Sequence, residues 1–181
     1  VLEEAETSFL AGALACRDHP NVVVDLHRRF LEAGCNVITS NNFVVTPHFL
    51  AQAGLGEAVL EELTRCAVAC CNEARNGFLA ASQQAGAKTK RPLIAGSLPP
   101  AGATYCAAPT EDARAFYAKL VSIFSSAPID VLLGETLASA EEALACLGAA
   151  NESSLPLWVS FTLRDLAPGC EPKLRGGQRL P

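Results

Sequence analysis

The chain has 181 residues, 50% of them hydrophobic, and 14 Lys and Arg against 19 Asp and Glu give a formal charge of −5. That is enough apolar material for one compact domain with a sizeable core, and the absence of a clustered basic stripe excludes nucleic acid as a partner. No apolar run is long enough to cross a bilayer and no signal-peptide pattern opens the chain, so the reading is a soluble, cytoplasmic protein with no membrane partner.

His19-Pro20-Asn21 opens the first predicted helix, with Pro20 suited to the first helical position, Val23, Leu26 and Phe30 on one face and Gly34 at the end. Cys35 to Ser40 follows as a short buried strand with a polar exit. From Leu55 to Gln84 the spacing of Leu60, Leu63, Ala67, Cys70 or Cys71, Ala74 and Phe78 predicts a long helix. Leu93 to Ser97 is the second strand, and Pro99-Pro100-Ala101-Gly102 a loop.

Thr110 is expected to cap a helix whose first turn carries Glu111 and Asp112 and whose apolar face is Phe116, Leu120 and Phe124. Ile129 to Gly134 is the third strand, with Glu135 and Thr136 at its C-terminal end. Ser139 and Glu142 predict a capping box for a helix running to Gly148. Pro156 to Thr162 is the fourth strand, almost wholly apolar.

Strand–helix alternation this regular predicts a parallel sheet covered by helices, either an open doubly wound sheet or a closed (β/α)₈ barrel. In both, the C-terminal ends of strands build the site, which singles out Asn41, Ser97, Glu135 and Thr162. No Gly-rich dinucleotide fingerprint follows any strand, which weighs against the open nucleotide-binding sheet.

Four stretches, in order, carry a family resemblance. Phe30 to Phe43 with Thr46-Pro47, Ile94 to Ser97 with Pro100 and Gly102, Asp130 to Thr136 followed by Glu141-Glu142-Ala143, and Val159 to Asp165 resemble the second to fifth strands of the homocysteine S-methyltransferase family. The resemblance implies an α/β (β/α)₈ TIM barrel, of which about the first five strands are represented here. Residues 1–181 then form a single homocysteine-binding-type barrel domain that is incomplete, lacking the C-terminal strands and the zinc motif. Four strands cannot close a barrel, so the functional protein is expected to be longer.

The implied activity is zinc-dependent methylation of L-homocysteine to methionine. The thiol must become a thiolate to attack, and in the family Zn²⁺ held by three cysteines lowers its pKa. The small-molecule partners would be homocysteine and a sulfonium methyl donor, S-methylmethionine or S-adenosylmethionine. A betaine donor would want an aromatic cage, and at 6% aromatic residues the chain offers little for one. None of the eight cysteines matches a family zinc position, and Gly176-Gly177 is followed by Gln178-Arg179 rather than by the family's cysteine pair. The Asp-Gly-Gly stretch expected after the first strand is also missing.

By the same resemblance Glu135 would clamp the homocysteine ammonium, with Asn41, Asn42, Ser97, Thr136 and Ser160 as further substrate-binding residues. The plainer alternatives are an ion pair for Glu135, turn capping for Asn41 and Asn42, and packing spacers for Ser97 and Ser160. Cys70-Cys71 reads as helix core, since neighbours on a helix point about 100° apart. His19, His27 and His48 are given no role, His27 being placed on a solvent face. Two other readings remain: a betaine- or methylfolate-dependent homocysteine methylase, and a metal-free relative acting as a binding protein.

Overall fold

The computed structural model describes residues 2–103, 105–106, 110–165, 167 and 169–179, and at 2–8 and 110 the backbone alone. Four parallel strands, β1 (Val37–Thr39), β2 (Leu93–Leu98), β3 (Val131–Leu137) and β4 (Leu157–Phe161), pair in the order β1-β2-β3-β4. Helices α1 (Leu2–Asp18), α2 (Pro20–Glu32), α3 (Pro47–Gln52), α4 (Glu57–Gln84), α5 (Thr110–Ser125) and α6 (Ala140–Ala150) accompany them. The unbroken sequential order is that of a segment of a (β/α)₈ barrel, whereas a doubly wound sheet reverses its strand order at a switch point. The expectation of about five strands becomes four among the described residues, because 2–18 form a helix.

The sheet is covered by α4, α5 and α6, and the core is built from their facing residues: Leu60, Leu63 and Cys71 on α4, Tyr117, Leu120 and Phe124 on α5, Ala145 and Cys146 on α6. Gly96 shows how close the layers are. A Cβ there would meet the Phe124 ring at 3.0–3.1 Å, so the bare glycine lets α5 settle on β2. Arg75 of α4 is 3% exposed and pairs with Asp130 at 2.5 Å. Asp130 also accepts from the Ile94 backbone N–H at 2.8 Å, which ties α4 to the start of β2 and β3.

Several local expectations change. α1 and α3 carry helical signals that the sequence reading passed over: Leu10, Ala13 and Cys16 are buried at three-residue spacing, and the Thr46 hydroxyl accepts from Phe49 N with Pro47 at the first position. On α2 the buried residues are Val23 and Leu31, while Leu26 and Phe30 are each 52% exposed. Gly34 ends α2 at φ 101°, a conformation open to glycine.

Strand β3 runs through Glu135 and Thr136 to Leu137, with a register shift between Gly134 and Leu137. The capping box is half formed. Ser139 accepts from Glu142 N at 3.2 Å, but the Glu142 carboxylate turns inward to Ala101 N at 3.0 Å, Ala138 N at 3.3 Å and the Tyr117 hydroxyl at 3.2 Å. The expected Thr110 cap falls on a side chain outside the described residues. Strand β4 is exposed along most of its length, because no further strand pairs with it among the described residues.

Candidate functional site

The site grows from strand alternation. A Cβ on Gly96 would strike Phe124 of α5 and one on Gly134 would meet Cys146 of α6, so these glycines face the helical layer. The next residue along each strand faces the other way, and that places Ser97 and Glu135 together on the barrel side of the sheet. Ser97 Oγ donates to Glu135 Oε1 at 2.5 Å.

Behind that contact lies a closed set of hydrogen bonds between the exits of β1 and β2. Ser97 N donates to Ser40 Oγ at 3.0 Å, Ser40 Oγ donates to Asn42 Oδ1 at 2.6 Å, and Asn42 Nδ2 donates to Ser97 O at 3.1 Å. Asn42 and Ser97 are fully buried and committed to protein partners. Their geometry is that of residues that hold Glu135 in place. Ser40, which sequence reading treated only as a polar strand exit, is the hub of this set.

Glu135 lines a cavity of ≈ 430 Å³ together with Asn41, Thr39, His27, Phe30 and Phe43. Burial raises its carboxyl above the ordinary 4.5, and the Ser97 hydroxyl opposes that by stabilising the anion. No Lys or Arg is paired with it among the described residues, so the surface ion pair weighed from sequence is not formed. A half-buried carboxylate without a counter-ion at a cavity wall is a place for a cation. Asn41 donates to Gly12 O at 2.7 Å, which anchors α1 to the same wall.

Thr136 and Ser160 form a separate pair beside the cavity rather than in its wall. Thr136 sits at φ 57° in the β3 bulge, its N–H donates to Ser160 Oγ at 3.1 Å, and its hydroxyl donates to Glu135 O at 2.6 Å. Thr162 adds a hydroxyl bond to Leu137 O at 3.2 Å. The bulge thus fixes the backbone on which Glu135 is carried.

His27 corrects the sequence reading. It is half-buried rather than on a solvent face, and its Nε2 lies 3.4 Å from Cys71 Sγ. Burial holds the imidazole below its ordinary 6.5 and pushes the Cys71 thiol up, so both are neutral at pH 7 and Cys71 is no activated nucleophile. The helical spacing of His27 from Val23 and Leu31 places it between two buried positions, which was the available signal.

Three or more His, Cys, Asp or Glu side chains arranged for a metal do not occur among the described residues. No cysteine is among the residues lining the Glu135 cavity. Cys16, Cys70 and Cys71 lie buried, and burial is the largest influence raising the pKa of each. The side chains present therefore do not fit the zinc site that the resemblance implies.

The family model for homocysteine S-methyltransferase matches residues 2–180. A homocysteine S-methyltransferase of Escherichia coli (strain K12) is 33% identical over 161 residues, covering 82% of this chain and 50% of its own. Homocysteine S-methyltransferase 1 of Zea mays is 30% identical over 164 residues, covering 81% and 50%. Among solved structures, the metallated form of the homocysteine methyltransferase MmuM from Escherichia coli superposes with TM-score 0.75 at 28% identity, over 94% of this chain and 59% of that one. Its oxidized form gives TM-score 0.78 at 27% identity. The chain spans about half the length of the curated relatives it matches.

Proposed function

Since the chain belongs to the homocysteine S-methyltransferase family, we propose that it supplies the amino-acid-recognition side of a barrel that methylates homocysteine. The observation that carries this is Glu135: a carboxylate without a counter-ion among the described residues, at a cavity wall, oriented by Ser97 and by the Ser40–Asn42 bonds behind it. The homocysteine ammonium is the complementary charge. Asn41 shares the cavity wall, while Thr136 and Ser160 hold the bulged backbone around Glu135, and Asn42 and Ser97 position it.

In the reaction, the homocysteine thiol gives up its proton to solvent and the thiolate sulfur attacks the methyl carbon of a sulfonium donor, S-methylmethionine or S-adenosylmethionine. The new S–CH₃ bond forms as the donor's breaks, and the bonding pair stays on the donor sulfur, which becomes a neutral thioether. Such a transfer asks the protein chiefly for alignment and for anionic surroundings toward the positive donor, and Glu135 meets the second demand. Phe30 and Phe43 give the same cavity two aromatic walls, which suit a positively charged donor. Zn²⁺ would supply thiol activation in the family reading, but the described residues offer no ligand set, and no step is assigned to it.

Calorimetric titration with L-homocysteine tests the recognition claim. Glu135→Gln is expected to weaken binding at least about tenfold, the scale of a lost charge-assisted hydrogen bond. 4-Mercaptobutyrate, which lacks the ammonium, should bind both proteins equally weakly. Equal homocysteine affinity in wild type and variant would overturn the assignment. Production of methionine from either sulfonium donor tests turnover.

A further inference from the structure

The backbone ladder between β2 and β3 ends where Leu98 pairs with Gly134, and Glu135 is the next residue along. From there to Leu137 the strand bulges, with Thr136 at φ 57°, a left-handed conformation unfavourable for a β-branched side chain. Such a conformation persists only where both flanks are held. The near flank is Gly134, paired with Leu98 on one side and Val159 on the other. The far flank is Ala138, whose carbonyl accepts from Gly176 N at 2.7 Å and whose N–H donates to Glu142 Oε2 at 3.3 Å.

The same carboxylate also reaches the loop after β2. Its Oε1 accepts from Ala101 N at 3.0 Å and from the Tyr117 hydroxyl at 3.2 Å. A capping box asks something else of this residue, namely that its carboxylate return to the N–H of Ser139. The inward turn is therefore surplus to capping. Ala101 lies just beyond Ser97 and Ala138 just beyond Glu135. Where the ladder stops, one side chain that is 2% exposed clasps the two strand exits that carry the Ser97–Glu135 contact.

We propose that Glu142 is a positioning residue for Glu135: by tying Ala101 to Ala138 it sets the separation of the β2 and β3 exits, and with it the 2.5 Å bond from Ser97 Oγ to Glu135 Oε1. Its functional meaning rests on the reading of Glu135 as the carboxylate that takes the homocysteine ammonium. The geometry itself can be measured without ligand.

The test is a carbon-13 NMR titration of the Glu135 carboxyl in the ligand-free chain, assigned by its loss in Glu135→Gln, beside calorimetric titration with L-homocysteine. Ser97 stabilises the Glu135 anion, so slackening their contact moves the carboxyl titration to higher pH. Glu142→Ala frees both exits, and Glu142→Gln, with a single carbonyl oxygen, holds only one. Both variants should shift Glu135 upward, Ala more than Gln, with homocysteine affinity at pH 7 falling about tenfold in Glu142→Ala and less in Glu142→Gln. His27, the other titratable group in the cavity wall, has its own imidazole signal and should titrate as in wild type. Asp130→Asn acts at the opposite ends of the same two strands, and should lower the urea midpoint with the Glu135 titration unmoved. A Glu142→Gln chain with native circular dichroism in which Glu135 titrates as in wild type overturns the proposal. So does an equal shift in Asp130→Asn, since loosening anywhere would then suffice. A shift in the Glu142 variants beside a homocysteine affinity that Glu135→Gln leaves unchanged supports the positioning and overturns the proposed function alone.

Discussion

Glu135 holds its charge against burial, and Ser97 only partly offsets the loss of water. Because its carboxyl is raised in the folded chain, protonation favours folding: the benefit is complete below the ordinary 4.5 and is lost as pH climbs through the higher folded value. Glu135→Gln should accordingly denature at higher urea than wild type at pH 7.5, with the gap shrinking at pH 4. A variant that weakens homocysteine binding yet stabilises the fold is the signature of a group kept for a ligand. Asp130 runs the other way. Burial pushes it up, but Ile94 N–H, Arg91 and Arg75 together hold it below the ordinary 3.8, so its contribution is present above that pH and disappears as acid titrates it. Asp130→Ala strands the Arg75 guanidinium in the core and should cost about 3–5 kcal/mol, whereas Arg91→Ala, at an exposed partner, should cost under about 1 kcal/mol in the same urea titrations. Of the candidate site, what was legible is that Glu135 and Asn41 would come together, since both stand at C-terminal strand ends, and the two do line one cavity. Ser40 and His27 were not, since a serine hub and a half-buried histidine declare themselves only when β1, β2 and α4 are packed together.

At the scale of elements, the long helices and the strand centres follow from periodicity, and the misplaced boundaries have local causes. Strand β3 outran its expected end at Gly134 because the Thr136 bulge lets the chain turn and continue, a conformation no hydrophobic pattern encodes. The apolar face of α2 divides between two roles: Val23 is buried, while Leu26 and Phe30 border the cavity beside Glu135. Glu142 was read as a helix cap, but at 2% exposure it binds together the loop after β2, the end of β3 and Tyr117 of α5. Removing it as Glu142→Ala leaves buried donors without an acceptor, and a loss of about 2–4 kcal/mol is expected in urea unfolding. Glu142→Gln keeps one oxygen and should lose less. Gly96→Ala should cost about 1–3 kcal/mol by the same measurement, since the added methyl forces Phe124 away from β2.

For the whole molecule, thiol accessibility reports on the packing directly. Cys35, Cys106 and Cys170 are exposed, and Cys16, Cys70, Cys71 and Cys146 are buried. A chromogenic disulfide reagent should modify those three rapidly in the native protein and the four buried thiols only after unfolding; immediate reaction of all eight would mean that the α1–α4 packing is absent in solution. The sheet has a further property in its sequential strand order. Each strand joins the one laid down before it, so no pairing has to wait for a distant part of the chain, and the loop-closure entropy of each step is that of a single helical crossover. During synthesis such a sheet can grow in the direction of translation, with a finished flank behind and a fresh strand always at the front. The strand bearing Trp158 is thus the last of these four to be laid down, and it finds β3 already in place as its template.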